Sequence, residues 1–272
     1  MNNQPIEATD SLLLSSRDDK GVLRLTLNNP VARNALSEEM MAALQVAFDA
    51  AHEDTSVRVI ILSANGPVFS AGHDVKQISA RRSDADEGRA YFKEVLATCS
   101  KLMTSVVRCR APVIAEVAGT ATAAGLQLAA SCDLVIAAET ARFCTPGVNI
   151  GLFCSTPMVA LSRAVSRKQA MEMLLTGDLM DVETAHRFGL VNRITSPDEL
   201  TGTTTKLAVQ IASKSAAVVA IGKEAFYQQA ELTLDAAYTY CSETMVTNLM
   251  LRDSEEGIGA LLEKRKPEWQ DR

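Results

Sequence analysis

The chain has 272 residues, is 47% hydrophobic and carries a formal net charge of -6. That length and apolar content suffice for a real core, as one large domain with an appendage or as two small ones. The charge excludes the cationic footprint of a nucleic-acid-binding protein, so an anionic ligand has to be met locally, by a few basic side chains or helix N-termini.

No apolar stretch approaches the roughly 20 residues of a membrane span. The opening residues, MNNQPIEATDSLLLSS, hold Glu7 and Asp10 and no basic residue before Arg17. This is the pattern of neither a secretory signal nor an Arg-rich transit peptide, and it predicts a cytoplasmic protein. The six cysteines form no CxxC pair and have no His at ligand spacing. Most of them read as small buried hydrophobes, and no metal site is expected.

In chain order, Val22 to Leu27 alternates like a strand and meets a turn at Asn28-Asn29-Pro30. Ser37 reads as an N-cap with Glu38 and Glu39 behind it, and Met40, Leu44, Phe48 and Ala51 recur at helical spacing. Val57 to Leu62 is a β-branched run suited to a buried strand. A long helix is predicted over Asp86 to Val107 and another buried strand over Pro112 to Val117. A small-residue turn from Gly119 to Gly125 leads into a short helix, Leu126 to Ser131, and then a strand, Asp133 to Ala138. Helices fit Pro157 to Val165, Lys168 to Leu175 and Val182 to Phe188, the last closed by Gly189, with a strand over Leu190 to Ile194. Beyond Pro197 the pattern is helical only. The fold class is α/β, with a boundary near residue 200 and helices from 201 to 272.

Two segments point to chemistry. Phe69-Ser70-Ala71-Gly72-His73-Asp74-Val75-Lys76 and Gly119-Thr120-Ala121-Thr122-Ala123-Ala124-Gly125-Leu126-Gln127 each place a small-residue turn just after a predicted strand. Ligands favour that end of a strand in α/β folds. Small residues let main-chain N–H groups approach a ligand, and two such groups aimed at one oxygen stabilise negative charge on it. The same residues also permit tight strand–helix packing, and composition alone leaves both readings open.

The first of these segments resembles the F-[SA]-A-G-x-D-[IL]-K element of the crotonase (enoyl-CoA hydratase/isomerase) superfamily. Ala111 to Gly119 resembles its P-V-I-A-x-V-x-G strand. Asn28-Asn29-Pro30 with Asn34-Ala35-Leu36 is similar to its N-x-P…N-A-L opening, Ala185 to Val191 to its A-x-x-x-G-L-V segment, and Glu263 to Pro267 to its E-K-R-x-P ending. The matches run in order over nearly the whole chain. Ala121 to Gly125 and Gly147 to Pro157 resemble one branch of that superfamily.

The resemblance implies a spiral of stacked ββα units over 1–200 and a helical trimerisation region over 201–272, giving a homotrimer or homohexamer. The implied ligand is an acyl-CoA or enoyl-CoA. Coenzyme A is then part of the substrate, and no prosthetic group, metal, nucleic acid or membrane is involved. The main-chain N–H groups of His73 and Ala124 become the oxyanion donors. Ala71, Gly72, His73, Asp74, Val75, Lys76, Gly125 and Cys154 line the ligand, and Lys264 reaches a CoA phosphate from a neighbouring subunit. The family label is enoyl-CoA hydratase, a lyase of fatty-acid metabolism.

The chain departs from that pattern where hydratases carry two glutamates. Gln127 replaces the first and Gly147 the second. Water addition needs one group to take a proton and another to deliver one, and Gln127 cannot titrate near neutral pH. True hydration is therefore not expected. A different CoA-ester reaction (isomerisation, hydrolysis or decarboxylation) and a non-catalytic acyl-CoA-binding or structural subunit stay open. Cys154 is a candidate nucleophile or a buried unreactive thiol, and His73 a candidate acid or base. His52 and His186 read as surface residues, Glu116 has an unknown facing, and Arg81-Arg82 reads as a solvated loop. No GxGxxG after a strand, GxxxxGK[ST], GxSxG or HExxH occurs, so nucleotide hydrolysis, Rossmann redox, serine hydrolysis and zinc proteolysis lack their parts.

Overall fold

A computed structural model describes residues 11–272; the first ten residues of the N-terminal reading lie outside the described residues. The chain runs through β1 (Leu13–Arg17), β2 (Val22–Leu27), α1 (Glu38–Glu53), β3 (Val59–Ala64), β4 (Val68–Ser70), α2 (Val75–Ala80), α3 (Arg89–Arg108), β5 (Val113–Val117), β6 (Thr120–Thr122) and α4 (Ala124–Ser131). There follow β7 (Leu134–Ala138), β8 (Arg142–Cys144), α5 (Pro157–Ala164), α6 (Arg167–Thr176), β9 (Met180–Asp181), α7 (Val182–Phe188) and β10 (Arg193–Thr195). Four helices end it: α8 (Leu200–Ala212), α9 (Ala216–Gln229), α10 (Leu234–Leu249) and α11 (Arg252–Glu263).

The strands form two sheets. One has six strands in the order β1-β2-β3-β5-β7-β10, and the other four in the order β4-β6-β8-β9. Three successive turns of chain each give one strand to the large sheet and the next to the small one: β3 and β4, β5 and β6, β7 and β8. A helix follows each pair, so the implied stack of ββα units is present. Pairing is parallel except between β1 and β2 and between β8 and β9.

The large sheet is covered on both faces, because its strands alternate apolar residues toward two different cores. Leu25, Leu27, Ile60, Leu62, Val113 and Val135 join Met40, Leu44 and Phe48 of α1 and Leu102 and Val106 of α3. Val22, Val59, Ile61, Ile114 and Ile136 face the other way, against Leu200, Ala208 and Ala212 of α8. Each branched side chain so buried is worth about 1.5–3 kcal/mol relative to exposure.

Capping fixes the helix ends. Ser37 accepts the Met40 N–H at 3.2 Å, as expected from sequence. Asp86 accepts from Gly88 and Ala90 and so starts α3 three residues later than expected. Gly189 closes α7 at φ 90°. The expected start of α4 at Leu126 is corrected to Ala124, since the turn is made by Ala123 alone.

The C-terminal tail folds back on the base of the large sheet. Buried Asp253 accepts from the amides of Gln270 and Asp271, and Asp271 pairs with Arg58 at 2.6 Å. Among the described residues no helix is long and apolar enough to cross a membrane, and no group of three or more His, Cys, Asp or Glu is placed to hold a metal ion.

Candidate active site

The small sheet is built from strands of two and three residues, too short to hold themselves by ladders alone. Side chains buckle the adjoining loops instead. Asn34 is fully buried with φ 50°, a conformation that Asn tolerates better than most residues. Its carboxamide accepts the Asn29 N–H at 2.8 Å and donates to the carbonyls of Asn65 and Val68 at 2.9 and 2.7 Å. The buried Ser70 hydroxyl donates to the Asn34 carbonyl, and the Thr122 hydroxyl donates to that of Ala71. Asn34, Ser70 and Thr122 thus position the two loops, a role that residue patterns left unassigned. The N-A-L motif had marked Asn34 without saying what it does.

These buckles press the two chemistry-bearing loops together. Gly72 has φ 85°, and a Cβ there would stand 3.0 Å from both the Ala124 nitrogen and the Ala123 Cβ. A Cβ on Gly125 would collide with the Ser70 carbonyl and lie 2.7 Å from Ser70 Cβ. Glycine at both positions is what lets the loops touch.

Ala123 adopts φ 50° and ψ -121°, a strained conformation for a residue with a Cβ. Such strain typically costs about 1–3 kcal/mol and gathers at functional sites. It lets the Ala123 N–H continue the strand ladder to Cys144 O at 3.0 Å while its carbonyl accepts from Gln127 at 3.0 Å in the first helical turn. The Ala124 N–H is left at the start of α4. Among the described residues neither this N–H nor that of His73 donates to any protein group. Free amides at a helix start favour negative charge.

The remaining candidate side chains fall in different places. Asp74 caps α2, accepting from Lys76 N at 2.8 Å and Gln77 N at 3.3 Å. Val75 and Lys76 are exposed, and Ala71 is partly buried with its N–H given to Arg33 O. Gln127 is 4% exposed, and its Oε1 has no hydrogen-bond partner among the described residues. Both ring nitrogens of His73 are buried in the same condition. Burial holds the His73 imidazole below its usual pKa, while the nearby Leu36 carbonyl, outside hydrogen-bond geometry, opposes that shift.

A Cβ on Gly147 would stand 2.8 Å from the Leu152 carbonyl oxygen and 2.9 Å from Cys154 Sγ. The sulfur therefore fills the space that a side chain at 147 would need. Burial pushes the Cys154 thiol pKa up, and the Gly147 N–H partly offsets this.

Glu116 points away from the loops. It takes a two-point contact from Arg24 at 2.7 and 3.2 Å and a bond from Thr201 of α8 at 3.1 Å. Lys264 caps the end of α11 in the left-handed conformation, exposed and outside both loops. Two surface clefts, of about 360 Å³ beside Arg82, Phe92 and Lys93 and about 530 Å³ between α1 and α3, are lined by none of the candidate residues.

Residues 17–272 match the family model described as enoyl-CoA hydratase/isomerase. The chain belongs to that family. It is 48% identical over 253 residues to enoyl-CoA hydratase domain-containing protein 3, mitochondrial, of Xenopus laevis, covering 93% of this chain and 84% of the relative. A crystal structure of an enoyl-CoA hydratase of Mycobacterium smegmatis superposes with a TM-score of 0.91 at 48% identity, covering 96% of this chain and 99% of that one. The structure of human enoyl-CoA hydratase domain-containing protein 3 gives 0.90 at 46% identity, covering 95% and 100%. The branch resembled by Ala121 to Gly125 and Gly147 to Pro157 is the one that the Xenopus and human proteins represent.

One expectation falls here. Five relatives of that name, from frog, rat, mouse, human and zebrafish, are named mitochondrial, which points away from the cytoplasm. Residue composition near the N-terminus was too weak a signal to place the protein in a compartment.

Proposed function

We propose that this member of the enoyl-CoA hydratase/isomerase family binds an acyl-CoA or enoyl-CoA thioester, whose carbonyl oxygen accepts from the N–H groups of His73 and Ala124, and that hydration is not its reaction. The observation that carries this reading is the pair of unengaged amides on loops in contact at Gly72 and Ala124. Enolate-like oxygen gains most from donors fixed in advance. Gln127 and Gly147 supply no titratable group, and general acid–base catalysis is commonly worth about 10²–10⁴-fold. A glutamate cannot be restored at 147 by substitution alone, because Leu152 and Cys154 fill its place.

Ala71 to Lys76, Gly125 and Cys154 would line the ligand, coenzyme A being part of the substrate. Lys264 of a neighbouring copy would meet a CoA phosphate. The region 201–272 would bring the copies together as a homotrimer or homohexamer. α10 supports that role, since it buries no residue within one chain and exposes Leu234, Tyr238, Met245, Val246 and Leu249. A non-catalytic acyl-CoA-binding or structural subunit is the second reading, favoured by the same missing carboxylates.

The test is a panel of short, long, saturated and unsaturated CoA esters, scored for melting temperature and for turnover. A ligand bound to the native state raises its melting temperature by mass action. The expected result is a rise with CoA esters and no hydration of crotonyl-CoA at enzymic rates. Fast hydration would overturn the reading of Gln127 and Gly147. No thermal response to any ester would overturn thioester binding.

A further inference from the structure

We propose that the imidazole of His73, in addition to its main-chain N–H, acts in this site as the base that takes a proton from the carbon next to the bound thioester carbonyl. The inference rests on the thioester-binding reading and extends it to a reaction.

Among the described residues, Asp74, Glu116, His52 and His186 each bond a group other than the two free amides. Asp74 is held by the amides of Lys76 and Gln77, and Glu116 by Arg24 and Thr201. The His52 ring accepts the Arg110 N–H, and the His186 ring bonds the Val191 carbonyl at 2.8 Å. Of the three histidines, His73 alone has both ring nitrogens buried without a partner among the described residues. Polar groups in protein interiors are rarely left so, and such exceptions call for a ligand, a proton or a water.

A second orphan lies on the touching loop. Gln127 is one helical turn after Ala124, on the same face of α4, and helical side chains lean toward the N-terminus. Gln127 is 4% exposed and its Oε1 is unpartnered among the described residues. A carboxamide can orient a ligand but cannot take its proton near neutral pH. Gln127 is thus a positioning residue, and the proton falls to the imidazole, which burial keeps neutral and able to accept.

The step balances without any oxidant or further reactant. The bond between hydrogen and the carbon adjacent to the carbonyl breaks. Its electron pair moves onto the thioester oxygen, held by the two amides, and the hydrogen forms an N–H bond on the imidazole. Return of a proton to the same carbon restores the thioester. Exchange of the ring N–H with heavy water before return replaces hydrogen by deuterium.

The experiment incubates the full chain with butyryl-CoA in heavy water and follows deuterium in the acyl group by mass spectrometry, with thermal shift on the same samples. Wild type should exchange well above the buffer rate. His73→Gln, which keeps the main-chain N–H, should lose about 100-fold or more of that rate while butyryl-CoA still raises its melting temperature. Added imidazole should restore part of the rate in His73→Ala, a rescue that a merely structural role would not show. Unchanged exchange in His73→Gln overturns the proposal. So does a wild type that binds butyryl-CoA without exchange, which leaves thioester binding standing. If His73→Gln does not fold, failure of imidazole to rescue His73→Ala overturns it as well. No thermal shift in wild type would fell the binding reading and this one together.

Discussion

The two sheets obey different rules. The six-stranded sheet is held by apolar alternation, with Ile60 and Leu62 turned to one core and Val59 and Ile61 to the other. The four-stranded sheet has strands of two or three residues and depends on side chains bonding backbone, chiefly Asn34, Ser70 and Thr122. The first makes the protein stable, and the second brings the two loops with free amides together. Stability and site formation should therefore be separable by substitution.

The largest separation is expected at Gly125→Ala. The added Cβ collides with the Ser70 carbonyl, so the loops must part. The thermal response to CoA esters should vanish while the far-ultraviolet circular dichroism stays that of the wild type. A variant that keeps full ligand response would show that loop contact is dispensable.

Leu62→Ala tests the opposite side of the comparison. Truncating this fully buried side chain should cost about 2–5 kcal/mol in urea denaturation. Affinity for CoA esters, measured well below the transition, should be unaltered. Weakened binding by folded protein would mean the two sheets are energetically coupled.

Gln127→Leu should do the reverse of an ordinary core substitution. Removing a buried acceptor that lacks a partner relieves its desolvation cost, so stability should rise by up to about 1 kcal/mol. A clear loss in denaturant midpoint would show that Oε1 is satisfied in solution.

The smallest effect is a pH dependence. His73 is held below its ordinary pKa of 6.5, mainly by burial, and the adjacent Asp74 carboxylate is turned to the amides of α2. The unfolded chain then binds more protons than the native one at mildly acidic pH, so stability rises with pH through that window. The contribution is complete above about pH 6.5 and fades as pH falls from there toward the lowered native value. His73→Gln should abolish it, and an identical profile in that variant would assign the dependence to other groups.

The sequence is legible where apolar periodicity speaks. Val22 to Leu27, Ser37 with α1, and Val182 to Gly189 appear as expected. Beyond the implied ββα stack, residue patterns reveal nothing of the small sheet. Thr120 to Thr122 and Met180-Asp181 are too short and too polar to show a period of two. The candidate loops were recognised by their small residues and by family resemblance, whereas the touching of Gly72 and Ala124 needs three dimensions. Glu116 could not be oriented from a strand buried on both faces; its pairing with Arg24 comes from a neighbour 92 residues away.

The most direct test of the central claim is the carbonyl stretch of a thioester labelled with carbon-13, recorded by difference infrared spectroscopy on the bound protein. Two hydrogen bonds from the amides of His73 and Ala124 polarise that bond and should move the band to lower frequency than in buffer. A labelled ester that binds with its band unshifted would contradict the account.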